Sequence, residues 1–111
     1  MNSRSFIFLF AALICPATML AAPKGNATAG KQVYTAHCQM CHGSHGQGNP
    51  GLAKMLGTAI PPLTSKKVQD LSDAQMGRVI EHGEGKMSPV NGLSSTEVDN
   101  VIAFVRSLPK K

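Results

Sequence analysis

Two cysteines and a histidine stand together in Cys38-Gln39-Met40-Cys41-His42, and their spacing limits the chemistry open to them. Positions i and i+3 of a helical turn lie on one face. Both sulfurs can therefore bond the two vinyl groups along one edge of a porphyrin. His42 then projects beneath the ring centre, where its imidazole can bind iron axially. Cys-x-x-Cys-His is the attachment signature for c-type haem, and it predicts one haem c bound covalently through Cys38 and Cys41. Two other uses of the pair fit worse. A redox Cys-x-x-Cys sits in a thioredoxin-like strand–helix context, and no strand pattern precedes this one. A zinc site needs four ligands, usually from two separated pairs. Here His37, His42 and His45 crowd round a single pair, and no second pair exists.

The sixth iron position decides what such a centre does. Its candidates are Met40, Met55, Met76, Met87, His37, His45 and His82. Met40 lies inside the attachment turn and cannot reach the opposite face. Met76 falls in a helical apolar stripe, where methionine is ordinarily core filler. Met55 belongs to a short turn after the attachment site and reads as packing that could lean on the haem. Met87 differs, because Gly85-Lys86-Met87-Ser88-Pro89 is an irregular loop far enough along the chain to wrap the other side of the ring. Gly85 permits close backbone approach and Pro89 stiffens the exit. Met87 is the leading sixth ligand, with Met55 and His82 next.

These residues need elements to hold them. A first helix is predicted from Asn26 or Thr28 through Val33 and Tyr34 to about Cys41. The stretch from Gly43 to Pro62 is rich in Gly and Pro and reads as loop, with one helical turn over Leu52–Leu56 stopped by Gly57. Ser72-Asp73-Ala74-Gln75 fits a capping box and opens a helix running to Gly83. A second box, Ser94-Ser95-Thr96-Glu97, opens the last helix. There Val98, Val101, Ile102, Val105 and Leu108 recur at helical spacing, a stripe facing a core. No strand, internal repeat or low-complexity tract is evident, so the class is all-α with long loops. Loops of that length in a small domain are usually functional. The segment between the first and last helices lacks the apolar groups for a core, and a porphyrin would fill the centre.

The chain has 111 residues, which favours one domain. Its opening reads separately: Arg4, the apolar run Phe6–Ile14, then small residues to Ala22 ahead of Pro23 form the pattern of a secretory signal peptide. The run is too short to span a bilayer as a retained anchor. Ile14 before Cys15 is too bulky for a lipoprotein cleavage site. The expected organisation is a signal peptide over 1–22, cut after Ala21 or Ala22, and one domain over 23–111. That places the domain in the periplasm, with no stable membrane insertion. Cys15 leaves with the signal, and Cys38 and Cys41 close too short a loop to staple a fold as a disulfide. Residues 23–111 hold eight Lys and two Arg against six Asp and Glu. This mild basic balance, without a dense basic cluster interleaved with aromatics, gives nucleic-acid binding no support and suits acidic protein partners. Lys54, Lys66, Lys67 and Lys86 flank the loops expected round the haem and could steer such partners.

Taken together, the chain resembles the class I monohaem c-type cytochromes of the small bacterial type over nearly all of residues 23–111. In that family the attachment motif ends the first helix and a Met-bearing loop precedes the last. Gly30 and Tyr34 match its small and aromatic positions ahead of the first cysteine, and Val101 and Phe104 match their partners on the final helix. The resemblance implies the cytochrome c fold, with these two helices crossing at Gly30. It also implies that Pro61-Pro62-Leu63 lies near the haem, with the Pro61 carbonyl accepting a hydrogen bond from the second ring nitrogen of His42. Two departures stand out: there is no tryptophan, and the ligand loop reads Met-Ser-Pro rather than Met-Pro. The implied function is one-electron carriage between redox proteins by a monomer that is not an enzyme, with iron held by His42 and Met87. The alternatives are a haem subunit of a larger oxidoreductase, or a haem enzyme or sensor with a displaceable sixth ligand. No nucleophile–base pair or carboxylate dyad of a hydrolase is present.

Overall fold

The computed structural model describes residues 24–110. The expected signal peptide, with Cys15, lies outside the described residues. Among these residues six helices follow one another: α1 (Ala27–His37), α2 (Gln39–His42), α3 (Pro50–Leu56), α4 (Lys66–Gln69), α5 (Asp73–His82) and α6 (Ser95–Ser107). Among the described residues the sole extended pairing is an isolated bridge between Glu84 and Met87.

The helix starts follow their caps. The Asn26 side chain accepts the Ala29 N–H at 3.0 Å and opens α1. Both expected capping boxes form: Ser72 with Gln75 at α5, and Ser94 with Glu97 at α6. Each cap satisfies amides that have no partner inside the helix, and its removal costs about 1 kcal/mol.

Three expectations need correction. The first helix does not run unbroken to Cys41. The backbone leaves helical geometry at Cys38 (φ −120°, ψ −35°), and a separate turn carries the motif from Gln39 to His42. The turn expected over Leu52–Leu56 begins two residues earlier, because Asn49 caps it and Pro50 supplies a preset φ at its first position. Helix α4 was not foreseen, since four residues hold too little periodicity to register.

The core is a seam along α6. Buried apolar residues are Tyr34, Met76, Val98, Val101, Ile102, Ala103, Val105 and Leu108, and six of these belong to α6 or its C-terminal cap. One cluster joins Tyr34 to Val101 and Val105, with Cys38, Leu63 and Phe104 packed against it. The other joins Met76 to Val98 and Ile102. Helices α1 and α6 cross at Gly30, where a Cβ would lie 1.8 Å from the Asn100 carbonyl oxygen. Only glycine allows that approach. One turn on, the Tyr34 and Phe104 rings meet at 4.9 Å between centroids, tilted by 51°, a geometry aromatic pairs favour. The Asn100 side chain also accepts the Asn26 N–H at 2.8 Å, which fastens the start of α1 to α6.

Arg106 ties α6 to the chain between α4 and α5. Its guanidinium donates to the Gln69 carbonyl at 2.7 Å, to the Leu71 carbonyl, and to Asp73 at 2.9 Å. Gln69 in turn donates through Nε2 to the Leu63 carbonyl at 2.8 Å. The segments 43–65 and 83–93 contribute no buried apolar side chain. Leu63 and Leu93, partly buried, pack against the seam from these segments.

Candidate haem site

The attachment turn is held from several directions. The His42 N–H donates to the Cys38 carbonyl at 2.9 Å, closing the turn that sets both thiols and the imidazole. Beyond it the chain folds back: Gly48 N–H donates to the His42 carbonyl at 2.7 Å, and Asn49 N–H to the Cys41 carbonyl at 3.0 Å. The Asn49 side chain does two things. Its oxygen caps α3 through the Leu52 N–H, and its Nδ2 donates to the Met40 carbonyl at 3.0 Å. Asn49 thus links α3 to the motif. The sequence reading missed it, although Asn-Pro ahead of an apolar run was the signal available.

Tyr34 completes the frame. Its hydroxyl donates to the Gly43 carbonyl at 2.6 Å, so the buried ring both packs on α6 and clamps the chain just after His42. Burial, reinforced by nearby Cys38, pushes the Tyr34 phenol up to about 12, against an opposing hydrogen bond from the Gly46 amide. Burial is also the main cause that lifts the Cys38 thiol to about 11, with Cys41 adding to it. Dithiol redox sites lower the pKa of their attacking cysteine, and Cys38 moves the other way. Zinc fares no better: among the described residues no three His, Cys, Asp or Glu side chains gather as a ligand set.

His42 carries the most telling feature. Its Nδ1 is buried without a hydrogen-bond partner. Burial lowers the pKa of the ring and keeps the imidazole neutral, the form that binds a metal. The bond to the Pro61 carbonyl that the resemblance implies is not made here. Pro61 is exposed. Its segment meets the attachment region through Leu63 instead, whose N–H donates to the Gly46 carbonyl at 2.7 Å.

The other candidate ligands separate by position. Met76 is 6% exposed and packed with Val98 and Ile102, which makes it core. Met40 and Met55 are 78% and 83% exposed, on the attachment turn and on α3. His37, His45 and His82 lie at the surface, and His45 sits against the Ser44 hydroxyl. Met87 is half-buried in a loop fixed by a reciprocal pair of backbone bonds with Glu84, at 2.9 and 3.0 Å. Gly83 permits this loop: its φ is +76°, and a Cβ there would lie 2.4 Å from the Met87 carbonyl oxygen. Of the flanking lysines, Lys54, Lys67 and Lys86 are exposed, whereas Lys66 is paired with Asp70.

The residues present fit a haem. Two thiols and a neutral imidazole share one hydrogen-bonded turn, and the imidazole has an unsatisfied buried nitrogen. Comparison with known proteins agrees. A family model described as cytochrome c oxidase, cbb3-type, subunit III matches residues 25–105. The chain belongs to this cytochrome c family. The cytochrome is 32% identical over 89 residues to cytochrome c-554(547) of Halothiobacillus neapolitanus, covering 76% of this chain and 98% of that one. Among solved structures it resembles the KustC0563 c-type cytochrome, with a TM-score of 0.62 and 28% identity over 73% of this chain and 98% of the other. It also resembles part of the dihydro-heme d1 dehydrogenase NirN in complex with DHE. That match has a TM-score of 0.53 and 29% identity over 75% of this chain, but only 16% of that one. The chain is therefore an electron-carrying haem protein with an all-α cytochrome c fold, and the family implies covalently bound haem c.

Proposed function

We propose that this cytochrome is an exported, monomeric one-electron carrier holding a single haem through Cys38 and Cys41, with His42 and Met87 as its axial ligands. When bound, the haem supplies an iron that cycles between Fe(III) and Fe(II). The observation that carries the reading is the rigid Cys38–His42 turn with its neutral, half-buried imidazole. Each neighbouring carbonyl of the turn is engaged by the fold, so the ligand geometry changes little when the charge changes. Small reorganisation makes transfer fast. Met87 offers a neutral thioether, which favours the reduced iron relative to a second imidazole and raises the potential. Filling both axial positions from the chain leaves no opening for small exogenous ligands, which suits a carrier rather than an enzyme. Pro61, on the exposed turn before Leu63, would lie along the haem on the His42 side. The redox partners would be proteins with acidic surfaces, met by Lys54, Lys67 and Lys86. The basic-to-apolar pattern of residues 1–22 supports export to the periplasm. Among the described residues no helix is long and apolar enough to cross a membrane.

A second reading has its own support. The matching family is described as an oxidase subunit, and the cytochrome aligns with only 16% of the NirN chain, so the same unit also serves inside larger proteins. Under that reading the cytochrome would be a haem subunit docked on an oxidoreductase.

Carbon monoxide tests the ligand set. The reduced wild-type protein should stay low-spin and refuse carbon monoxide, and Met87→Ala should bind it at once while Met55→Ala and His82→Ala do not. Binding by the wild type, or opening of the iron by Met55→Ala or His82→Ala instead, would remove Met87 from its role.

A further inference from the structure

Helix α2 is a single turn, so the carbonyls that end it have no partner inside it. The fold supplies a donor to each from outside. The Met40 carbonyl accepts Asn49 Nδ2 at 3.0 Å, and the Cys41 carbonyl accepts the Asn49 N–H at 3.0 Å. The His42 carbonyl accepts the Gly48 N–H at 2.7 Å, and the Gly43 carbonyl accepts the Tyr34 hydroxyl at 2.6 Å. Asn49 thus holds the peptide groups on both sides of Cys41, the second of which leads into His42. Its side-chain oxygen meanwhile accepts the Leu52 N–H at 3.2 Å, inside the first turn of α3.

This frame bears on the imidazole. A metal-ligating histidine is ordinarily aimed by a hydrogen bond from its second ring nitrogen. His42 Nδ1 makes no such bond here. The direction of the ring then follows the His42 backbone, and the peptide groups before and after His42 are held by Asn49 and Gly48. Those two residues are themselves kept in place by the Asn49 side chain, which joins the Met40 carbonyl to α3. Of the four outside donors, only Asn49 Nδ2 and the Tyr34 hydroxyl belong to side chains. The Tyr34 ring also fills the core, so Asn49 is the donor that can be removed without emptying it.

We propose that Asn49 is a positioning residue for His42. Its amide donor to the Met40 carbonyl fixes the attachment turn against α3, and so sets the angle at which the imidazole meets the haem iron. This rests on the reading above in which the haem is covalent and His42 is its ligand.

Proton NMR of the ferric holoprotein reads that angle. The unpaired electron spreads the resonances of the His42 ring and of the haem methyl groups in a pattern that follows the orientation of the axial ligands. Asn49→Ser keeps an oxygen for the Leu52 N–H but is too short to keep the Met40 bond, whereas Asn49→Ala loses both. The pattern should change in both variants, while Asn49→Ala melts about 4–8 °C below Asn49→Ser for its lost cap. Should Asn49→Ser not mature, Asn49→Asp retains the acceptor and lacks the amide donor in the same way. A pattern unchanged in the variant that keeps the cap, or changed in Asn49→Ala alone, overturns the proposal and leaves Asn49 as a cap of α3. A colourless wild-type protein would defeat the haem reading itself, whereas a red protein whose pattern survives Asn49→Ser defeats this inference alone.

Discussion

Tyr34 is the sole tyrosine in the sequence, so its ionisation can be followed without interference from another phenol. Only the protonated ring can donate to the Gly43 carbonyl, and burial holds the proton until about pH 12. In the unfolded chain the same group releases its proton near 10. The folded form thus binds this proton more tightly, and its stabilising effect is complete below pH 10 and is lost as pH rises through about 12. Tyr34→Phe should cost about 1–2 kcal/mol at neutral pH and flatten the decline in melting temperature over that alkaline window. An equal alkaline decline in both proteins would refute the assignment. The turn that brings Cys38, Cys41 and His42 together was legible because the chemistry of the motif fixes their spacing. The different settings of Met87, in a loop, and Met76, in the core, were legible from their spacing. Asn49 was not legible, since it acts through a contact that exists only once distant segments meet.

Among the elements, the α1–α6 crossing is the feature most sensitive to one atom. Gly30→Ala places a methyl on the Asn100 backbone, which cannot move aside as a side chain would. The expected cost is about 3 kcal/mol or more, seen as a fall in melting temperature greater than about 10 °C. A variant melting within a few degrees of the wild type would mean that the helices do not meet there. Arg106→Met keeps the volume but strands the Gln69 and Leu71 carbonyls, at about 2–3 kcal/mol by thermal melting. Asp73→Ala removes only a half-exposed ion pair and should cost under about 1 kcal/mol. Equal effects of the two would show that the charge pair, not the carbonyl clamp, secures α6. The helices with capping boxes were readable because Ser72–Gln75 and Ser94–Glu97 encode their starts locally. The break at Cys38 was not, because Val33 to His42 has no proline or glycine to announce it. Two long-range contacts flank the break, Tyr34 to the Gly43 carbonyl and Asn49 to the Met40 carbonyl.

At the scale of the whole molecule, the protein-only core is a narrow seam, and the loops carrying Pro61 and Met87 lie outside it. The all-α class and the crossing of first and last helices were legible from periodicity and from the Gly30–Tyr34 and Val101–Phe104 positions. The placement of the proline turn against Gly46, rather than through a Pro61 bond to His42, was not. Surface charge acts at this scale too. Lys54, Lys67 and Lys86 are exposed, whereas Lys66 is paired with Asp70. The rate of electron exchange with an acidic protein partner should fall as salt rises from 10 to about 200 mM, where screening shortens the reach of charge. Lys86→Glu should weaken that dependence and Lys66→Glu should change it less; a salt-independent rate would dismiss steering.

Covalent attachment of haem is the premise under every other role assigned to this chain, and intact mass joined to a pyridine haemochrome spectrum tests it directly. Protein made with cytochrome-assembly machinery should weigh one haem more than its chain and show a c-type spectrum. That added mass should be lost when Cys38 and Cys41 are both replaced by alanine. A folded, colourless protein at the bare chain mass would show that no haem is attached.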